Sequence, residues 1–204
     1  QVLPELIAAG GPDVPVRAWV PGCATGEEAY TLAMLLREQL DAAASRRRLQ
    51  VFATDVAEDA LDVARLGVYP SSVESDVSPE RLERFFVKEG DHYRVSKALR
   101  ETVVFAEQNV LAQPPFSRLD LICCRNLLIY LEPDAQQRVL AVFQYALKEN
   151  GCLFLGSSET IGAAKAQFVP VSKRWRIFRR TGKPSPPPLE QFAEAAVRLP
   201  PALK

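Results

Sequence analysis

Short apolar runs alternate with amphipathic stretches along most of this chain. Val16 to Val20 (VRAWV) reads as a strand ending at Pro21-Gly22, and from Glu27 to Leu40 the residues Ala29, Leu32, Ala33, Leu36 and Leu40 recur on one helical face. Leu49 to Ala53 (LQVFA) predicts a second strand ending at Thr54-Asp55. Ala57 to Leu66 predicts a second helix, with Gly67 as its C-cap. The period then breaks. Ser78-Pro79-Glu80 is a helix start leading into Leu82, Phe85 and Phe86, and Phe85 to Val95 (FFVKEGDHYRV) reads as a β-hairpin turning at Glu89-Gly90-Asp91. Strands follow at Thr102 to Phe105, Leu119 to Cys123 and Cys152 to Leu155. A helix from Asp134 to Lys148 lies between the last two, stopped by Asn150-Gly151. Phe168 to Val171 and Trp175 to Phe178 flank Ser172-Lys173-Arg174 as an edge hairpin.

Strands alternating with helices predict an α/β fold with a mostly parallel sheet covered on both faces. A hairpin between the second helix and the third strand is an insertion, because parallel strands need helical crossovers. Ligands of such sheets bind at the carboxyl ends of the strands. The loops to inspect are therefore Pro21 to Glu28, Thr54 to Val56, Ala106 to Leu111, Arg125 to Tyr130 and Ser157 to Glu159.

Composition narrows the chemistry. The 204 residues are 48% apolar, with 25 Lys+Arg against 25 Asp+Glu. That suits one soluble domain burying roughly 70% of its unfolded surface, and it argues against broad contact with nucleic acid or anionic lipid. With no apolar run of about 18 residues and no secretory layout at the N-terminus, the expected location is cytoplasmic, without membrane insertion. Cys23, Cys123, Cys124 and Cys152 lie in or beside apolar runs and form no CxxC pair, so they read as packed, reduced thiols. The single His92 sits in a polar turn, leaving no metal cluster and no Ser-His-Asp triad. Six of the 16 prolines fall after residue 183, marking residues 183–204 as a linker or tail.

The first loop, PGCATGEE, lacks the Lys-Ser/Thr of a P-loop and the third glycine of a dinucleotide fingerprint. Gly22 and Gly26 allow close backbone approach to a ligand, and Glu27-Glu28 stand where a pyrophosphate would sit. Those acids suit a cationic ligand or merely complement the helix dipole. Asp55, at the tip of the second strand, is placed to accept from ribose hydroxyls or to cap a helix. Together these describe a nucleoside that carries positive charge and no pyrophosphate, which is the description of S-adenosylmethionine. Arg125-Asn126 interrupt a strongly apolar run and need partners there, either a sheet-end carboxylate with a capped loop or a ligand.

WVPGCATGEEAYTLAMLL, VFATDV, FAEQNVL, FSRLDLICCRNLLIYL and GCLFLGSSETIG, in that order and spacing, resemble the catalytic domain of the CheR chemotaxis receptor glutamate methyltransferases, from about Val2 to Arg180. QPPFSRLDLI and RWRIFRR look most like the CheR domain of multidomain CheB/CheR hybrids. The resemblance implies a Rossmann-like class I methyltransferase fold: a seven-stranded sheet with an antiparallel edge hairpin and a small antiparallel subdomain inserted at about 70–101. Residues 1–182 would be the methyltransferase domain, without the family's N-terminal helical domain and its Asn-Thr-x-Phe-Phe-Arg linker, since the chain starts at Gln1-Val2-Leu3-Pro4.

Carried onto matching positions, the resemblance implies that Gly22, Ala24 and Gly26 line the methionine and ribose region and that Glu27 or Glu28 contacts the cofactor. Asp55 would hold the ribose, Asn109 and Val110 would lie beside the adenine, and Arg125 with Asn126 would close over the sulfonium side. Tyr130 would stand close to the transferred methyl, with Arg125 and Tyr130 orienting the substrate carboxylate. The implied reaction makes glutamate methyl esters on the cytoplasmic domains of chemoreceptors and leaves S-adenosyl-L-homocysteine. A glutamate is already ionised at pH 7 and needs no general base. The short VKEGDHYRV hairpin implies no tethering to a receptor's C-terminal pentapeptide. Two other readings are a non-catalytic cofactor-binding or interaction module and an amino-methyltransferase acting on nucleic acid. The second is disfavoured by Leu127-Leu128, where such sites carry prolines and an aromatic residue.

Overall fold

A computed structural model describes residues 2–182; the proline-rich tail expected at 183–204 lies outside the described residues. The chain runs α1 (Val2–Ala8), β1 (Val16–Pro21), α2 (Glu27–Ala42), β2 (Leu49–Asp55), α3 (Glu58–Leu66), β3 (Val68–Pro70), α4 (Pro79–Phe85), β4 (Phe86–Glu89) and β5 (His92–Val95). It continues through α5 (Lys97–Arg100), β6 (Val103–Glu107), β7 (Leu119–Cys124), α6 (Pro133–Ala146), β8 (Leu147–Leu155), β9 (Phe168–Ser172) and β10 (Ile177–Arg180).

Seven strands form one sheet in the order β6-β2-β1-β7-β8-β10-β9. The first five are parallel; β10 pairs antiparallel with both β8 and β9. This is the expected mostly parallel sheet with an antiparallel edge hairpin. Successive side chains of a strand face opposite ways, so a central strand must be apolar on both faces. In β1, Ala18 and Val20 pack with α2 and α3 residues such as Leu36 and Leu61, while Trp19 turns to the other face against Phe143 of α6. The Trp19 indole N–H donates to Thr54 Oγ1 at 2.9 Å, which satisfies two buried polar atoms together.

The insertion is a three-stranded antiparallel sheet, β3-β5-β4, one strand more than the expected hairpin. Its turn is where the sequence places it, with Gly90 at φ 63. Only three residues long and directly after the Gly67 C-cap, β3 carries no alternation to reveal it. Arg81 of α4 grips Glu38 of α2 through two hydrogen bonds of 2.7 and 2.8 Å, Arg84 pairs with Asp41, and the Tyr69 hydroxyl donates to the Thr25 carbonyl at 2.8 Å. The insertion is thereby fixed to the helix that follows the first loop.

Of the boundaries that shift, two have a clear cause in strand pairing. The sixth helix stops at Ala146, because Leu147 turns extended to pair with Leu119, and Asn150-Gly151 form a bulge inside β8 instead of a helix cap. The second strand of the edge hairpin begins at Ile177, two residues later than predicted, since Phe178 pairs with Leu153 and is buried while Trp175 stays in the turn, 60% exposed. The short helices α1 and α5 were not legible. Among the described residues no helix is long and apolar enough to cross a membrane.

Candidate cofactor site

The loops after β1, β2, β6, β7 and β8 meet along the carboxyl edge of the parallel sheet. In the first, the Gly22 and Cys23 amides both donate to the Thr54 carbonyl, at 2.7 and 3.0 Å, tying the loop to the end of β2. The loop then passes through three left-handed residues, Gly22, Ala24 and Gly26, at φ 70, 44 and 92. The two glycines do different work. Gly22 is exposed, whereas Gly26 is buried at the N-cap of α2, where an added Cβ would stand 2.9 Å from Ala64 Cβ and 3.2 Å from the Phe105 ring. Gly22 and Ala24 thus leave their backbone open to solvent, whereas Gly26 is closed in by helix packing.

Asp55 makes the helix-entry contact expected of a cap, and a second one to the first loop. Its Oδ1 accepts the Ala57 amide at 3.0 Å, closing the entry to α3, and its Oδ2 accepts the Ala24 amide at 2.8 Å, linking the first two loops. A half-buried carboxylate holding one amide on each oxygen keeps further lone pairs for hydroxyl donors.

The two acids of the GEE motif separate. Glu27 is exposed and takes the Thr25 hydroxyl at 2.7 to 2.8 Å. Glu28 points toward the sheet: Cys123 Sγ donates to its Oε1 at 3.0 Å, and Arg125 Nη1 to its Oε2 at 3.3 Å. Burial holds the Glu28 carboxyl above the usual carboxylate range; the Cys123 hydrogen bond and the Arg125 charge oppose this without reversing it. Arg125 also lies over the Phe154 ring, 5.4 Å from its centroid.

Arg125 and Asn126 are exposed, against the expectation that their apolar surroundings bury them. β7 ends at Cys124, and the chain lifts away from the sheet through Asn126 at φ 59. The sheet-end carboxylate foreseen for Arg125 is Glu28. Tyr130 ends a short 3-10 turn (Leu128–Tyr130) and is 78% exposed, at the rim of the site. Asn109 folds its own loop, accepting the Leu111 amide on Oδ1 at 2.9 Å while its amide donates to Gln113 Oε1 at 2.8 Å; Val110 beside it is half-buried.

One participant lies outside the predicted set. Glu159 is 3% exposed, and its carboxylate accepts the amides of Leu127 and Leu128 on Oε1, at 2.9 and 2.8 Å, and of Gly156 on Oε2 at 2.7 Å. The available signal was a lone acid after Gly156-Ser157-Ser158 at a strand end, amid apolar residues, where a carboxylate has to find donors. All four cysteines are buried free thiols. Burial, with Asp55 and the GEE acids nearby, pushes the Cys23 thiol up to about 12.

The donor set fits a cationic nucleoside. Glu28 is a partly desolvated acid with a displaceable arginine, Asp55 has spare acceptor capacity, and the first loop exposes backbone at Gly22 and Ala24 with no lysine to receive a phosphate.

Comparison with known proteins agrees. The model of the CheR methyltransferase, SAM binding domain, matches residues 1–177. A chemotaxis protein methyltransferase of Escherichia coli is 37% identical over 162 residues, 75% of this chain and 55% of that protein. A putative methyltransferase, Cher3, of Pseudomonas putida is 34% identical over 81% of this chain and 63% of its own length. An uncharacterized 104.1 kDa protein of Rhodobacter capsulatus is 41% identical over 88% of this chain, which spans 19% of that protein. The chain thus spans less than two thirds of each of these relatives.

Proposed function

Because this chain belongs to the CheR methyltransferase family through its S-adenosylmethionine-binding domain, we propose that it transfers a methyl group to glutamate side chains on the cytoplasmic domains of chemoreceptors, or of similar signalling proteins. S-adenosylmethionine is the cofactor of this domain; when bound, it supplies the electrophilic methyl. The observation that carries the reading is the Glu28–Arg125 pair at the carboxyl edge of the sheet, one loop away from an Asp55 that already organises the glycine loop.

Asp55 holds the ribose hydroxyls, and Asn109 with Val110 borders the adenine. Gly22, Ala24 and the half-buried Glu28 face the amino-acid end, and Glu28 rather than Glu27 is the acid that meets positive charge. When it does, Arg125 is freed from Glu28, closes with Asn126 over the cofactor and pairs with the incoming carboxylate, which exposed Tyr130 guides from the rim. The acceptor is an anion at neutral pH, so no residue has to take a proton; alignment and exclusion of water are what these side chains contribute.

Titration calorimetry with S-adenosylhomocysteine, followed by transfer of a labelled methyl to a receptor cytoplasmic fragment, tests this. Binding with base-labile label on glutamates is the expected result. Absence of binding overturns the reading, and binding without transfer to any receptor fragment makes the domain a cofactor-binding module.

A further inference from the structure

We propose that Glu159 is the positioning residue of this site, setting where Arg125 and Asn126 stand by clamping the backbone that follows them; the inference rests on the methyltransferase reading above. β7 and β8 are adjacent parallel strands, and the loops leaving them could diverge freely. They do not, because one carboxylate takes amides from both: Leu127 and Leu128 after β7, Gly156 after β8. Asn126 has to adopt φ 59, an uncommon conformation for a residue with a side chain, immediately before the two clamped amides. Charge-assisted acceptance of the two amides that follow that turn offsets its strain.

The surroundings leave no slack. A Cβ at Gly156 would stand 2.8 Å from Glu159 Oε2 and 3.3 Å from the Asn126 amide nitrogen, so Gly156, Glu159 and Asn126 pack as one unit. The Leu127 side chain lies where a Cβ on Gly22 would touch it at 3.4 Å, so the clamp extends to the glycine loop. The side chain of Glu159 is buried and its oxygens are occupied by backbone, so it acts through the loop and not on a ligand. Glutamine cannot replace it: three converging N–H donors need acceptors on both terminal atoms, and a carboxamide turns a donor toward one of them.

The decisive experiment is a double-mutant cycle of Glu159→Gln with Arg125→Ala, read as S-adenosylhomocysteine affinity of the whole chain. Glu159→Gln alone should weaken binding by about tenfold, the scale of losing one hydrogen bond to a charged group. The double variant should bind no worse than about twofold below the weaker single variant, because both changes remove one placement. Additive losses, or unchanged affinity in Glu159→Gln, overturn the proposal and leave Glu159 a structural tie. A wild-type chain that does not bind fails the methyltransferase reading instead, which keeps the two failures distinct. Hydrogen exchange on the wild-type chain needs no variant to fold: the Leu127, Leu128 and Gly156 amides should exchange as slowly as those of β7 and slow further with S-adenosylhomocysteine. Exchange at exposed-loop rates, or no response to the ligand, overturns the clamp.

Discussion

The Ala24 backbone N–H donates to Asp55 Oδ2 at 2.8 Å, across 31 positions of sequence, so the residue proposed to hold a ribose also fixes the left-handed turn of the glycine loop. Two losses follow from removing this carboxylate: the acceptor for the ligand and the lock on Ala24. Asp55→Ala should weaken S-adenosylhomocysteine binding by about 1 to 3 kcal/mol. Asp55→Asn, whose side-chain oxygen can still accept one of the two amides, should lose less. Calorimetry on both variants checks the order, and equal affinity in all three proteins would remove Asp55 from the site.

Glu28 titrates above the usual carboxylate range because burial disfavours its charge more than Cys123 and Arg125 favour it. A carboxyl raised in the folded state stabilises the fold fully below its unfolded pKa of about 4.3 and loses that contribution as pH rises through the folded value. At pH 7 the ionised group is therefore a liability of the free protein, and Glu28→Gln should melt higher there, with the advantage shrinking toward pH 4. Ligand binding should go the other way. A cationic ligand selects ionised Glu28, so wild-type affinity should fall as pH drops through the raised value, while Glu28→Gln binds weakly and with a flatter pH profile. Melting curves and calorimetry between pH 4 and pH 8 separate the two effects.

The thiols beside the site should be chemically silent. Cys23 is pushed up to about 12, and Cys123 and Cys124, in the fully buried β7, are raised by desolvation with Glu28 adding to it. The thiolate is the reactive form, so a thiol-specific disulfide reagent at pH 8 should leave the native chain unlabelled and label all four cysteines in denaturant. Rapid labelling of one native thiol would place it on a mobile or accessible segment. Bound S-adenosylhomocysteine that shields it would put it within the pocket.

The sheet was legible because β1 and β7 are apolar on both faces and the connecting stretches repeat at helical spacing. What escaped was set by contacts distant in sequence. The third strand of the insertion exists because Val68 finds Arg94, and Leu147 becomes strand because Leu119 is its neighbour. In the candidate site, Asp55 and the glycine loop could be picked out from their order, since one ends a strand and the other directly follows one. Separating Glu28 from Glu27 needed the positions of Cys123 and Arg125, almost a hundred residues on. Arg125 misled for the same reason: an apolar run suggests burial, yet its last members belong to a loop that has already left the sheet.

The left-handed loop gives opposite expectations at two neighbouring positions. Ala24, exposed at φ 44, bears the steric cost of a Cβ in that region, so Ala24→Gly should be stabilising or neutral, by at most about 1 kcal/mol after the greater freedom glycine gives the unfolded chain. Gly26 is at φ 92, and its missing Cβ is where Ala64 and Phe105 already stand. Gly26→Ala should therefore combine backbone strain with overpacking, a loss of about 2 to 4 kcal/mol. Chemical denaturation reads both. If Gly26→Ala proved benign while Ala24→Gly destabilised, the tight approach of α2 to α3 and β6 would be wrong. The placement of the exposed turn over the carboxyl edge of the sheet would then fail with it, because Gly26 is the joint between that turn and the first helix of the site.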